Sequence, residues 1–191
     1  SIVASLAVLL LVLIVGVVEI KTGFIPLNTT ERAKTVQHYG EGDFTLDMYG
    51  WRKIKPEFQK IREDAIQNGE MKESDGMLAL NWYPLANLDY YVAYPLGIDM
   101  FGFRNPSMIH KYAWINKERG GLKKGNDYWF LTESFDYYEP NTQLKPFFNE
   151  INPVDTIAIE RCGKPAKYVF VYELKGLKRI PKTWFDEKKT P

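Results

Sequence analysis

The chain opens with eighteen residues, SIVASLAVLLLVLIVGVV, that carry no charge and no proline. They are apolar all round, without the polar stripe of a helix that lies on a soluble core. A spanning helix needs roughly 20 such residues, each rising about 1.5 Å, to cross a hydrocarbon layer about 30 Å thick. Residues 1–20 reach that length with Glu19 at the interface. A cleaved signal peptide would show a basic segment before a shorter apolar run and a small-x-small site after it. None of the three is present, so the segment reads as an uncleaved transmembrane helix. Lys21, Arg32 and Lys34 follow it, but without the preceding loop the positive-inside comparison has only one side. The chain also begins without Met, which reads as a fragment cut from upstream sequence.

Beyond the helix the pattern turns from continuous to periodic. Residues 21–43 are mixed and polar, interrupted by Gly23, Pro26, Gly40 and Gly42, and read as a linker. Asn28-Thr29-Thr30 within it matches a glycosylation sequon, a pattern short enough to arise by chance. Asp47 opens the first clear element, in which Trp51, Ile54, Phe58, Ile61 and Ala65 recur at helical steps up to Gly69. Pro56 suits a helix start, which leaves residues 50–55 as an irregular first turn. The apolar run 77–80 predicts a buried strand. A helix follows, with Pro84 in its first turn, Leu85, Leu88 and Val92 facing inward, and Pro95 and Gly97 ending it.

Residues 98–103 predict a second strand, and Asn105-Pro106 the start of one helix carrying Ile109, Tyr112, Ala113 and Asn116 up to Gly120-Gly121. Residues 127–134 predict a third strand. This β-α-β-α-β alternation implies parallel strands joined by crossovers. A loop then runs to Pro153, and strands 155–161 and 167–174, separated by five residues, predict an antiparallel hairpin. The fold class is therefore α/β: a small mostly parallel sheet with flanking helices, ending in an antiparallel hairpin and preceded by one transmembrane helix. Residues 44–180 form one soluble domain and 181–191 a tail.

Charge narrows the partners. Basic residues number 25 and acidic residues 24, so the basic surplus that nucleic acid requires is missing. Lys123-Lys124 and Lys188-Lys189 read as a solvated turn and a tail. One cysteine, Cys162, permits no intrachain disulfide, and at a strand end it reads as a small packing residue. His38 and His110 are the only histidines, and nothing is spaced for a metal. No cofactor fingerprint is present either. Neither G-x-G-x-x-G nor a P-loop follows a strand, and Trp82-Tyr83 fill the turn where a pyrophosphate needs bare backbone.

In open α/β sheets ligands gather at the carboxyl ends of the strands. There Asn81, Asn87 and Asp89, with Trp82 and Tyr83, place polar groups beside aromatic faces, which suits a sugar or a phospholipid headgroup. Alternatively, Asn81 caps the following helix and the aromatics pack its start. Asp47 and Trp51 form a second constellation, either set against a substrate or serving as an N-cap and an anchoring ring. His110 is a further candidate contact, although no Ser/His/Asp or Cys/His set surrounds it, and no catalytic residue stands out.

The series LDMYGW, NWYPLANLDYYVAYPLG, IHKYAWINKERG and IAIERCGKPAKYVFVYELKGLK resembles the C-terminal soluble domain of bacterial multi-pass glycosyltransferases related to protein O-mannosyltransferases and to the aminoarabinose transferase of lipid A. The likeness covers about Asp47 to Lys178. It implies a parent enzyme that moves a sugar from a polyprenyl-phosphate donor to a lipid or protein acceptor. It also implies that residues 1–20 are the last span of a larger transmembrane bundle in the bacterial inner membrane, with the domain in the periplasm in contact with membrane lipid. The family's acidic catalytic residue lies in an upstream loop, so no position here inherits a catalytic role. The rival expectation is a single-pass anchored module that binds a glycan, lipid or peptide.

Overall fold

Apolar periodicity locates the elements, and turn chemistry sets where they stop. The computed structural model describes residues 2–25 and 35–180. The Asn28-Thr29-Thr30 sequon, Arg32, Lys34 and the 181–191 tail lie outside those residues.

Helix α1, Ile2–Thr22, has 21 residues, about 30 Å of rise, and residues 2–18 are exposed around its whole circumference. It is long and apolar enough to cross a membrane, and it ends two residues beyond the expected bound. Its end is tied to the rest of the chain. Glu19 is only 5% exposed and its carboxylate accepts the Ile25 N–H at 2.9 Å. The Lys21 carbonyl lies 4.0 Å from the Cys162 Sγ, and the 3₁₀ turn Phe44–Met48 packs against α1.

Helix α2, Trp51–Gln67, starts five residues before the expected Pro56. Gly50 makes this possible: it sits at φ 86°, and a Cβ there would come 2.4 Å from the Ile159 Cγ2, so both backbone and space demand glycine. Pro56 then lies inside the helix, where it removes the donor that the exposed Arg52 carbonyl would have used. Trp51, Ile54, Phe58 and Ala65 are buried at the expected spacing.

Strand β1 is Gly76–Ala79. Helix α3, Trp82–Leu88, continues as a wider turn, Asp89–Ala93, and a 3₁₀ turn, Tyr94–Leu96, which Gly97 ends at φ 68°. Strand β2 is short, Met100–Gly102. The single helix expected after it is two, α4 (Pro106–Ile109) and α5 (Tyr112–Glu118), because His110 leaves the helical region at φ 50°, ψ −125°. The break swings α5 alongside the edge of β2. There the buried Asn116 side chain accepts the Gly102 N–H at 3.0 Å and donates to the Gly102 carbonyl at 2.8 Å. Asn116 thus does for this edge what a further strand would do.

Strand β3, Tyr128–Glu133, is followed by a short helix α6, Pro140–Gln143, within the expected loop. The hairpin strands are longer than expected: β4 is Phe148–Arg161 and β5 is Lys164–Leu177. Pro153 does not end β4, because β4 is an edge strand and a bulge between Pro153 and Asp155 absorbs the missing donor. The expected five-residue connection is a two-residue turn, Cys162 at φ 50° and Gly163 at φ 75°, the signature of a type I′ hairpin. Cys162 is accordingly an exposed turn residue, not the packing thiol its strand-end position suggested.

The sheet order is β2-β1-β3-β5-β4. Strand β1 is parallel to β2 and β3, and β5 is antiparallel to β3 and β4. One face carries Met77, Ala79, Trp129, Leu131, Val169 and Val171 under helices α2 and α3. Phe58 meets Trp129 edge-on at 5.3 Å between ring centres, and each such buried ring contributes about 2–3 kcal/mol. The other face carries Leu78, Phe101, Phe130, Phe170 and Tyr172 under Leu144 and Phe147. Because Glu133 pairs with Val169 near the start of β5, the hairpin tip lies at the same end as the carboxyl termini of the parallel strands. The end of α1 meets the tip there.

Candidate functional site

That shared end is built around a lysine on the apolar face of a strand. Alternation along β5 puts Lys167 in line with Val169 and Val171, and its side chain has no solvent exposure. The Lys167 Nζ lies 2.6 Å from a carboxylate oxygen of Glu133, which closes β3 on the same face. It also donates to the Leu46 carbonyl at 3.1 Å, with the rings of Trp51 and Phe135 at 4.5 and 5.2 Å. Two charges are thus taken out of water and answered by one another, one carbonyl and two ring faces. Burial pushes the Glu133 carboxyl up to about 7 against the pull of Lys167. Burial also pulls Lys167 below the usual lysine range, against Glu133 and Asp47. Burial and the nearby Asp47 charge raise Asp136 and Tyr83 as well.

The backbone of the Phe44–Met48 turn completes this centre. The Asp47 carbonyl accepts the Trp51 indole N–H at 2.7 Å and also the Tyr83 hydroxyl. Trp51 and Tyr83 meet edge-on at 6.2 Å. Asp47 is therefore not the N-cap of α2, a position that Gly50 holds. The anchoring role of Trp51 stands, since it is almost fully buried. A cavity of about 20 Å³ lies beside Glu133, lined also by Asn81, Tyr83, Asp136 and Tyr138, with room for about one water.

From Tyr83 the site continues outward as an aromatic shelf. Trp82 is 47% exposed, stands edge-on to Tyr83 at 5.7 Å and meets His110 at 5.5 Å. His110 is exposed, and its positive φ is a strained conformation for a residue with a Cβ. Asn81 occupies the N-cap position of α3 without a side-chain capping bond; its amide donates to the Tyr138 hydroxyl at 2.9 Å. Arg104 lies over the Tyr138 ring at 5.8 Å, and the Asn87 amide donates to the Tyr83 carbonyl at 3.0 Å.

The structure thus brings Asp47, Trp51, Asn81, Trp82, Asn87 and His110 to one end of the sheet around Tyr83, with Trp51 buried beneath and Trp82 and His110 exposed. It does not bring Asp89 there. Asp89 is buried, accepts the Tyr112 hydroxyl at 2.7 Å and pairs with Arg119 at 3.0 Å, and so ties the end of α3 to α5. Glu133, Lys167, Asp136 and the Asp43–Arg161 pair at 2.9 Å were not singled out from sequence. Their signal was present in two cases, since Lys167 and Glu133 interrupt the apolar face of otherwise alternating strands. Among the described residues no group of three or more His, Cys, Asp or Glu side chains is arranged to hold a metal. Comparison with protein-family models, with curated proteins and with solved structures found no match.

Proposed function

We propose that this chain is the anchored, periplasmic C-terminal part of a bacterial inner-membrane glycosyltransferase, which moves a sugar from a polyprenyl-phosphate donor to a lipid or protein acceptor. In this reading α1 is the last of several spans, and the domain guides the acceptor while the transfer chemistry belongs to the membrane-embedded part. One observation carries most weight: the carboxyl edge of the sheet, the hairpin tip and the end of α1 lie at the same end of the molecule. In this reading the exposed Trp82–His110 shelf, at that same end, faces the membrane, where a lipid-linked sugar and its acceptor would meet. An exposed indole face, with the Asn81 amide and the Arg104 guanidinium gathered at Tyr138 on the same sheet edge, suits a sugar ring whose apolar face stacks while its hydroxyls are bound by polar groups. The residue-level likeness described above supplies the parent reaction.

The test uses Trp82→Ala in the complete gene product, in membrane vesicles given a radiolabelled polyprenyl-phosphate sugar and its acceptor. The expected result is a several-fold rise in acceptor KM with donor use little changed. An unchanged acceptor KM and rate would sink the reading. A second reading, a single-pass anchored module for a glycan, lipid or peptide, is favoured by the shelf being complete within this chain. It predicts glycan or lipid binding that Trp82→Ala abolishes in vesicles showing no sugar transfer.

A further inference from the structure

Four large apolar side chains stand in water around the point where α1 ends: Phe24, Ile25, Phe44 and Met48. Phe44 and Met48 are 74% and 73% exposed, although the two residues following Phe44, Thr45 and Leu46, are buried. The turn that holds them out is not loose. Asp43 accepts the Thr45 N–H at 3.0 Å, Arg161 donates to the Thr45 hydroxyl at 2.8 Å and pairs with Asp43, and the Leu46 carbonyl is fixed by Lys167. Single exposed apolar residues are ordinary. A fixed cluster beside the end of a lipid-spanning helix is different, because contiguous exposed apolar surface marks a contact.

The groups that flank the cluster are those of a membrane interface. Tyr49 lies next to it, with Lys53 and Arg161 set over its ring at 5.0 and 5.7 Å. Lys53 also donates to the Tyr49 hydroxyl at 2.9 Å. Lys21 is exposed on the last turn of α1, and Lys164 is exposed at the hairpin tip. Apolar side chains reaching past the headgroups, a tyrosine at their level and lysines among the phosphates is how a protein surface beds into a bilayer.

We infer that the Phe44–Met48 turn, with Phe24 and Ile25, is seated in the interfacial layer of the membrane that α1 crosses, so that the domain lies against the lipid at its hairpin-tip end instead of hanging from a flexible tether. The occupant of this surface is lipid because α1 brings the turn to the bilayer at the level where the helix leaves the hydrocarbon. The inference rests on α1 spanning the membrane, and the experiment separates the two.

The full chain carries Cys162→Ser and one new cysteine, Leu10→Cys, Phe44→Cys or Lys124→Cys, labelled with an environment-sensitive dye. It is placed at one copy per nanodisc of phosphatidylcholine and phosphatidylglycerol. Lys124 is the control, since it neighbours the far end of β5, about 40 Å from the tip along the strand. Phe44 is exposed, so its replacement removes no core contact. The expected result is a blue-shifted Phe44 site quenched at least threefold more strongly by lipids spin-labelled near the headgroup than the Lys124 site, with Leu10 quenched by deep labels. If Leu10 is quenched while Phe44 behaves like Lys124, the spanning helix stands and the seating is wrong. Blue-shifted Phe44 emission without lipid quenching means that protein covers the turn, which also overturns the inference. Failure of Leu10 to quench removes both readings.

Discussion

Replacing Lys167 by methionine keeps its length and removes its charge, and leaves Glu133 buried opposite an apolar side chain. Breaking one side of a buried pair costs about 3–5 kcal/mol when the remaining charge stays ionised. The geometry here makes that cost depend on pH. Glu133 already titrates near 7 with Lys167 beside it, and losing the cation moves it higher. Below that point Glu133 escapes the penalty by taking a proton, and each unit of pH between the new value and about 7, below which the parent's Glu133 is protonated too, removes about 1.4 kcal/mol of the difference. Lys167→Met should thus destabilise by about 4 kcal/mol at pH 8.5 and by about half that at pH 6. Glu133→Leu should show the opposite trend, because the stranded Lys167 is relieved at high pH by losing its proton. Its cost is smaller, about 2–3 kcal/mol, since the Leu46 carbonyl and the Trp51 and Phe135 rings still face the ammonium. The double change Lys167→Met, Glu133→Leu should return to within about 1 kcal/mol of the parent, or exceed it. Urea unfolding of the detergent-solubilised chain, followed by tryptophan fluorescence at pH 6 and 8.5, measures all four corners of the cycle. Single variants that cost under about 1 kcal/mol at both pH values, or a double variant as unstable as the sum of the singles, would refute a coupled, desolvated pair.

Three further outcomes follow from the same contacts. Native Glu133 holds a proton between its ordinary value of 4.5 and about 7 that the unfolded chain has released, and burial also raises Asp136 and Asp75. Parent stability should therefore fall as pH rises through that window, by up to about 3 kcal/mol from Glu133; a midpoint that rises with pH in urea titrations would contradict this. Gly50→Ala should destabilise by about 2–4 kcal/mol, because a Cβ meets Ile159 at 2.4 Å and φ is 86°, which thermal unfolding would register. Arg161→Met strands the buried Asp43 carboxylate and loosens the α1 joint, so trypsin should cut near Lys21 several-fold faster in detergent than in the parent; equal cutting rates would show that the joint lies elsewhere.

Much of the fold was legible because burial imposes a period on the sequence. Ile54, Phe58 and Ala65 marked the inner face of α2, Leu85, Leu88 and Val92 that of α3, and the alternation around Phe170 and Tyr172 marked both faces of β5. Boundaries were less legible where backbone conformation decided them. Nothing in the letters Gly50 or His110 states a φ of 86° or 50°, and those angles started α2 early and split α4 from α5. Pro153 misled because a proline forbids a central strand but not an edge strand with a bulge. At the site, exposed aromatics and amides such as Trp82 and Asn81 were visible as types, while their partners were not. Asn81 passed over its capping bond in favour of Tyr138, a residue 57 positions away.

The least legible part of the site is the one that positions everything else. Arg161 through Asp43 and Thr45, Lys167 through the Leu46 carbonyl, and Trp51 and Tyr83 through the Asp47 carbonyl all converge on the segment 43–47. Three of these four side chains, Lys167, Trp51 and Tyr83, end on backbone oxygens alone, which every residue has, so no choice of side chain in the segment advertises them. The same segment packs on the end of α1 and carries Phe44 and Met48 outward. The buried lysine is therefore tied at once to the sheet, through Glu133, and to the helix joint, through Leu46. Its ammonium thereby joins the carboxyl edge of the sheet to the turn that packs on the end of α1. A lysine suits this task better than an aliphatic residue because a carbonyl and a carboxylate fix an ammonium in direction as well as in depth, whereas packing alone would leave the turn free to slide.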